Sequence, residues 1–311
     1  MSRAAITTEP LSEPRGAARA VGAVPRRWFL AVAVGAGLAT ATGCAATRAG
    51  KVGLPAKHSL QADQLLVLSD FKLSPEHPLI RDLIVLRRQV AERLDLPLGS
   101  KQIIVYLFSD ELTYRQFWHA AYPEYPIRRA YFVQSPDRQL AVYTSWSDRI
   151  QEDLRHEFTH GLLHAALHSV PLWLDEGLAE YFEVAGDEPG AVNPKYSDWL
   201  ATAIQNDWRP DLRRLEQLEK VAQMKQPDYR ESWAWVHFML HGSPVTRQIL
   251  LTHLQELQTT SAPTPLSDKL QKQFPDVETR FLNYVATMNS TGGWIATQPG
   301  RAGHDDGHRT Q

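Results

Sequence analysis

The chain has 311 residues, 43% hydrophobic and 22% charged, which is enough to bury a core and is neither collagenous nor wholly disordered. Lys+Arg 33 against Asp+Glu 35 leaves a formal charge of -2, a field too weak to gather phosphate backbones, so nucleic-acid binding is not expected. A single cysteine excludes an internal disulfide and a zinc site built from several thiolates, so any metal must be held by histidine and carboxylate.

Residues 1–27 are polar and carry Arg3, Arg15, Arg19, Arg26 and Arg27; the small-residue apolar run Trp28 to Ala41 follows, and then Thr42-Gly43-Cys44. This order is that of a signal segment's basic region, apolar region and cleavage site. The apolar run is shorter than the roughly 20 residues of a spanning helix and only mildly hydrophobic. RRWFL resembles the twin-arginine export signal, and ATGC resembles a bacterial lipoprotein processing site, in which Cys44 becomes the lipidated first residue. An ordinary signal peptide cut nearby, or a short membrane anchor, is the alternative. The expectation is therefore a signal peptide over 1–43 and export from a bacterial cytoplasm. A lipid on Cys44 would anchor the protein to the membrane at its periplasmic or outer face.

Residues 44–60 contain Gly50, Gly53 and Pro55 and fit a tether, with the folded domain expected over 61–289. Residues 290–311 hold few apolar side chains and the string GHDDGH, and read as a solvated tail; a metal role for His304 and His308 would carry a large ordering cost.

Within the domain, Gln64 to Ser69 and Gln102 to Phe108 have the apolar, β-branched content of buried strands, and His77 to Leu94 between them has helical periodicity. Tyr131 to Val133 and Leu140 to Tyr143 flank the turn-forming Ser135-Pro136-Asp137, which predicts a hairpin at one edge of the sheet. From Ser147 onward the apolar spacing is helical. The fold class expected is α+β: a small mixed β-sheet with helices, followed by an all-helical C-terminal subdomain.

The helix expected to open near Asp148 contains His156-Glu157-Phe158-Thr159-His160, the HExxH pattern. Histidines four apart lie about 6 Å apart along one helix face, so both imidazoles can reach one ion, and Glu157, about 100° round the helix, can meet a water held there. After an apolar stretch comes PLWLDEGLAEYFE, a second helix with Pro171 in its first turn, carrying Glu176 and Glu180 one turn apart. A catalytic zinc site takes three protein ligands and a water, and Glu176 is the expected third ligand, with Glu180 the alternative. The remaining carboxylate, Glu180, is expected to accept the free ring N–H of a ligating histidine. His164 and His168 continue the spacing but lie too far along the axis from His156 to share its ion, and read as packing or rim residues.

HEFTH followed by WLDEGLAEY resembles the gluzincin metallopeptidases, most closely their peptidase-MA-like group. The resemblance implies a zincin-like fold with the motif helix in the cleft, a bound zinc ion, His156, His160 and Glu176 as ligands, Glu157 as general base, and Glu180 as the acid behind the ligands. DYRESWAWVHFML resembles the family helix whose opening tyrosine, here Tyr229, hydrogen-bonds the oxyanion. Tyr229 could also simply cap its helix, and His237, two turns on, could supply that bond instead. Trp233 and Trp235 are expected in the core, and the edge hairpin around Leu140 to Tyr143 could bind an extended peptide by strand addition.

The activity expected from these residues is hydrolysis of a peptide or related amide bond in a peptide or protein substrate, with Glu157 moving the proton. The alternative is a zinc-binding lipoprotein that holds a peptide or cell-wall fragment without cutting it.

Overall fold

In a computed structural model, residues 53–186 and 188–290 are described. The expected signal peptide, Cys44 and the tail beyond Ser290, with His304 and His308, lie outside them. The described chain is α+β. Strand β1 (His58–Ala62) turns through Asp63, whose φ of 51° is a left-handed value that aspartate tolerates, into antiparallel β2 (Leu65–Ser69). β1 begins inside the stretch read as a tether, because its alternating polar residues HSLQA carry little strand signal of their own.

Helix α1 (Pro78–Leu94) starts with proline in its first turn and with His77 Nδ1 accepting from the Leu79 N–H. It leads to β3 (Ile103–Phe108), which runs parallel to β2 and is buried along its whole length, as a strand covered on both faces must be. Helix α2 (Glu111–Ala121), which periodicity does not announce, is capped by Asp110 Oδ1 accepting from the Thr113 N–H at 2.8 Å.

The predicted hairpin is present as β4 (Ala130–Gln134) and β5 (Leu140–Ser145). It lies at one edge of the sheet, as expected. The sheet runs β1-β2-β3-β5-β4, so β5 pairs parallel with β3 and is interior, while β4 is the free edge. Leu140–Tyr143 is therefore closed to strand addition, its backbone being paired on both sides.

All later elements among the described residues are helical: α3 (Ile150–Ala166), α4 (Leu172–Glu183), α5 (Pro194–Gln205), α6 (Leu212–Glu216), a 3-10 turn (Val221–Gln223), α7 (Gln226–His241), α8 (Pro244–Leu257), α9 (Leu266–Gln273) and α10 (Val277–Ser290). Among the described residues no helix is long and apolar enough to cross a membrane.

Alternation divides the sheet. Val67, Ile103, Val105, Leu107 and Val142 point to the face packed by α1 and α3, where Leu83, Leu86, Leu154 and Phe158 join them in the main core. Ile104, Tyr106, Phe108 and Tyr143 point to the other face, beneath Tyr114 and Trp118 of α2. Arg155 ties the helices together: fully buried, it donates to Asp82 on α1 at 2.8 Å, to Gln89 at 3.1 Å and to the Phe182 carbonyl of α4 at 2.9 Å. Helix α4 is buried from Leu172 to Phe182, sandwiched between α3 and α7. Gly177 permits that closeness, since a Cβ there would sit 2.7 Å from the Ser232 carbonyl oxygen of α7. The consequence is that side chains of α3, α4 and the start of α7 meet at one cleft.

Candidate metal centre

Helix α3 presents His156 and His160 on successive turns, and α4 crosses beside it with Glu176. Glu176 Oε2 lies 3.6 Å from His156 Nε2 and 3.7 Å from His160 Nε2. Ligand atoms of a tetrahedral zinc ion, each about 2.0–2.2 Å from the metal, are roughly 3.4 Å from one another, so these three donors have the type and spacing of a zinc site. They form one of two groups among the described residues able to hold a metal ion; the other joins His156 with Glu180 and Glu183. Glu176 is thus the carboxylate that reaches both imidazoles, while Glu180 groups with His156 alone.

The remaining ring nitrogens face carboxylates. His156 Nδ1 is 3.1 Å from Glu183 Oε2, and His160 Nδ1 is 2.9 Å from Asp175 Oδ1, a close charge contact whose direction departs from that of a straight hydrogen bond. Glu180 does not take the ring N–H it was expected to accept: its Oε2 accepts from the Tyr196 hydroxyl at 2.7 Å. Helix geometry explains the correction. Glu183, seven residues past Glu176, returns to within about 20° of the same face, whereas Glu180 is turned about 40° to the other side, toward α5.

The surroundings favour positive charge on the rings. Burial pulls His156 down, but bonds from Glu176 and Glu183 outweigh it and hold its pKa well above the ordinary value. Burial likewise opposes charge on His160, and Asp175 overrides it, raising the pKa to about 9. Asp175 is held well below the usual carboxylate range, its burial being outweighed by His160 and His164. Burial first, then Glu183 and Glu176, lift Glu180 to about 7 against the pull of His156. An ion of charge +2 entering here would supply the positive charge that a protonated ring otherwise provides.

Glu157 lies in the same cleft. Its Oε2 accepts from the backbone N–H of Phe132 on the edge strand β4 at 2.6 Å. Burial raises its pKa, partly offset by His156 and His160. Tyr229, in the first turn of α7, lines the cleft with Glu176 and Arg128, and the Arg128 charge acts on its hydroxyl. Helix capping falls to Asp228, which accepts from the Lys225 N–H at 2.7 Å, so Tyr229 is free of that role. His237 is not an alternative to it: 1% exposed in the core, it meets the Tyr284 hydroxyl at 2.6 Å and the Gly190 carbonyl at 3.0 Å. Trp233 and Trp235 are core residues, as expected.

Two hollows of about 390 and 460 Å³ open on either side and share Arg128, His156, Glu157 and Glu176. One is charged, with Asp153, Glu180 and Glu183; the other is walled by Tyr122, Tyr125, Tyr131 and Phe132. Sequence reasoning missed Asp175, Glu183 and Arg128. Asp175 and Glu183 stand inside the block WLDEGLAEYFE and were open to view once the rotation of α4 was known; Arg128, in the segment before β4, carries no pattern. Comparison with known protein families gives no match, and comparison with curated proteins gives none.

Proposed function

We propose that this chain is a zinc-dependent hydrolase of peptide or related amide bonds, gluzincin-like in its ligands and zincin-like in its fold. The observation that carries the reading is the convergence of His156 Nε2, His160 Nε2 and Glu176 Oε2 from two crossing helices, with Glu157 beside them in an open cleft. A zinc ion bound there would supply an activated water and polarise the substrate carbonyl.

The protein's own residues account for the remaining steps. Glu157, made more basic by burial and kept ionised by its neighbouring imidazoles, takes a proton from the attacking water and returns it to the leaving nitrogen. The Arg128 guanidinium beside Tyr229 pulls on its phenol against the upward push of burial, and the phenolic proton is available to the oxyanion. An extended peptide is aligned along β4, the free edge next to Glu157. The leader reading belongs to the same proposal: the enzyme works outside the cytoplasm, held to a membrane through a lipid on Cys44.

The test is Glu157→Gln in protein with measured zinc content. Zinc retained with hydrolysis of a mixed peptide library abolished supports the assignment; normal cleavage by the variant refutes it. A wild type that holds full zinc and cuts nothing moves the reading to a peptide- or wall-binding module.

A further inference from the structure

His164 lies one turn past His160 on α3, and its spacing alone reads as packing. Its surroundings do more than pack. His164 Nε2 is 2.9 Å from Asp175 Oδ2, while the other oxygen of the same carboxylate is 2.9 Å from His160 Nδ1. His164 Nδ1 lies 3.2 Å from Oε1 of Gln134, the last residue of edge strand β4. The Phe132 ring closes over both imidazoles, 5.1 Å from His164 and 6.0 Å from His160 between ring centres. Asp175 is 6% exposed and His164 8%, so this chain of groups is enclosed by protein.

A carboxylate has no proton to give, so the His164 ring must donate its Nε2–H to Oδ2. That second bond fixes the plane of the carboxylate. A carboxylate anchored by one contact turns about its last torsion, which is broad; one anchored at both oxygens does not. Oδ1 is then held 2.9 Å from His160 Nδ1, a charge contact that favours the tautomer with its proton on Nδ1 and leaves the Nε2 lone pair facing Glu176 and His156. Resting on the metal-centre reading above, we infer that His164 is a positioning residue: through Asp175 it sets the ring of His160 for metal, beneath the Phe132 ring of the edge strand.

The experiment compares His164→Phe, which keeps a ring against Phe132 but donates nothing, with His164→Gln, whose amide nitrogen reaches the place of Nε2. Zinc affinity is measured by competition with a chromophoric chelator, and ligand geometry by the visible bands of the cobalt-substituted protein. The Phe variant is expected to bind zinc roughly tenfold to a hundredfold more weakly with altered cobalt bands, and the Gln variant to stay within about threefold of wild type. Wild-type affinity in the Phe variant overturns the inference, as does equal weakening in both, which would assign the ring to packing alone. If the Phe variant does not fold, His164→Asn replaces it. Its shorter amide cannot reach Asp175, and binding as tight as that of the Gln variant overturns the inference. A wild type that binds no zinc is a different failure, since it removes the metal centre itself and this inference with it.

Discussion

The backbone N–H of Phe132 donates to Glu157 Oε2 at 2.6 Å, joining the edge strand to the carboxylate proposed as base. The amide is directed away from β5, so it is free of the sheet ladder although Phe132 sits opposite Val142. Proline at 132 would remove this donor and keep an extended backbone that an edge strand accepts. Phe132→Pro is expected to lower kcat by about 10²-fold, the scale of a misplaced catalytic group, with zinc content unchanged. Full activity in that variant would show that the contact does not orient Glu157.

Zinc should stabilise the folded chain through three residues and not a fourth. A ligand present at 100 times its Kd adds about 2.7 kcal/mol to the folded state, visible as a rise in Tm. The rise should disappear in His156→Ala, His160→Ala and Glu176→Ala and persist in Glu180→Ala, whose carboxylate is held by Tyr196. Loss of the zinc response in the Glu180 variant alone would move the third ligand one turn along α4.

Gly177→Ala places a methyl 2.7 Å from the Ser232 carbonyl oxygen and 2.8 Å from its carbon. Backbone cannot swing aside as a side chain can, so α4 and α7 must separate. Overpacking of this kind costs about 1–3 kcal/mol. Calorimetry should show a lower Tm, and because Glu176 and Tyr229 ride on the two helices, activity should fall as well. An unchanged Tm would mean that the helix pair is not close-packed at this point.

The pair of imidazoles was legible in the sequence because a four-residue repeat on one helix is already geometry, and Glu176 followed from the demand for one more donor. What orients those imidazoles was not legible. Whether Glu180 or Glu183 faces His156 depends on how α4 is rotated against α3, which follows from burying Leu174, Leu178 and Phe182 and from the contact at Gly177. The strands were recognisable one by one, but their order was not: a hairpin next to an edge and a hairpin with its second strand inserted beside β3 have the same local pattern. Helix α2 was obscured because its buried face is aromatic, Tyr114 and Trp118, and serves a small second core that a search for aliphatic periodicity passes over.

His237 should make the fold sensitive to acid. It is neutral in the core: burial, with Arg93 adding, lowers its pKa from 6.5 to about 4, although the Gly190 carbonyl pulls the other way. The unfolded chain therefore takes up this proton below pH 6.5, while the native state resists until about pH 4. A depressed folded pKa means that the stabilisation is complete above the unfolded value and is lost as pH falls through that window. Between pH 7 and 5 the loss from this group is on the order of 2 kcal/mol. His241 and His253, lowered to about 3 and about 4, contribute with the same sign. In metal-free protein His156 and His160 act in the opposite sense, so the total slope mixes both, and the comparison must be with a variant. His237→Gln, though less stable overall, should lose less stability than wild type between pH 7 and 5 in urea titrations. Parallel pH dependences for the two proteins would mean that His237 takes up its proton in the folded state as readily as in the unfolded one.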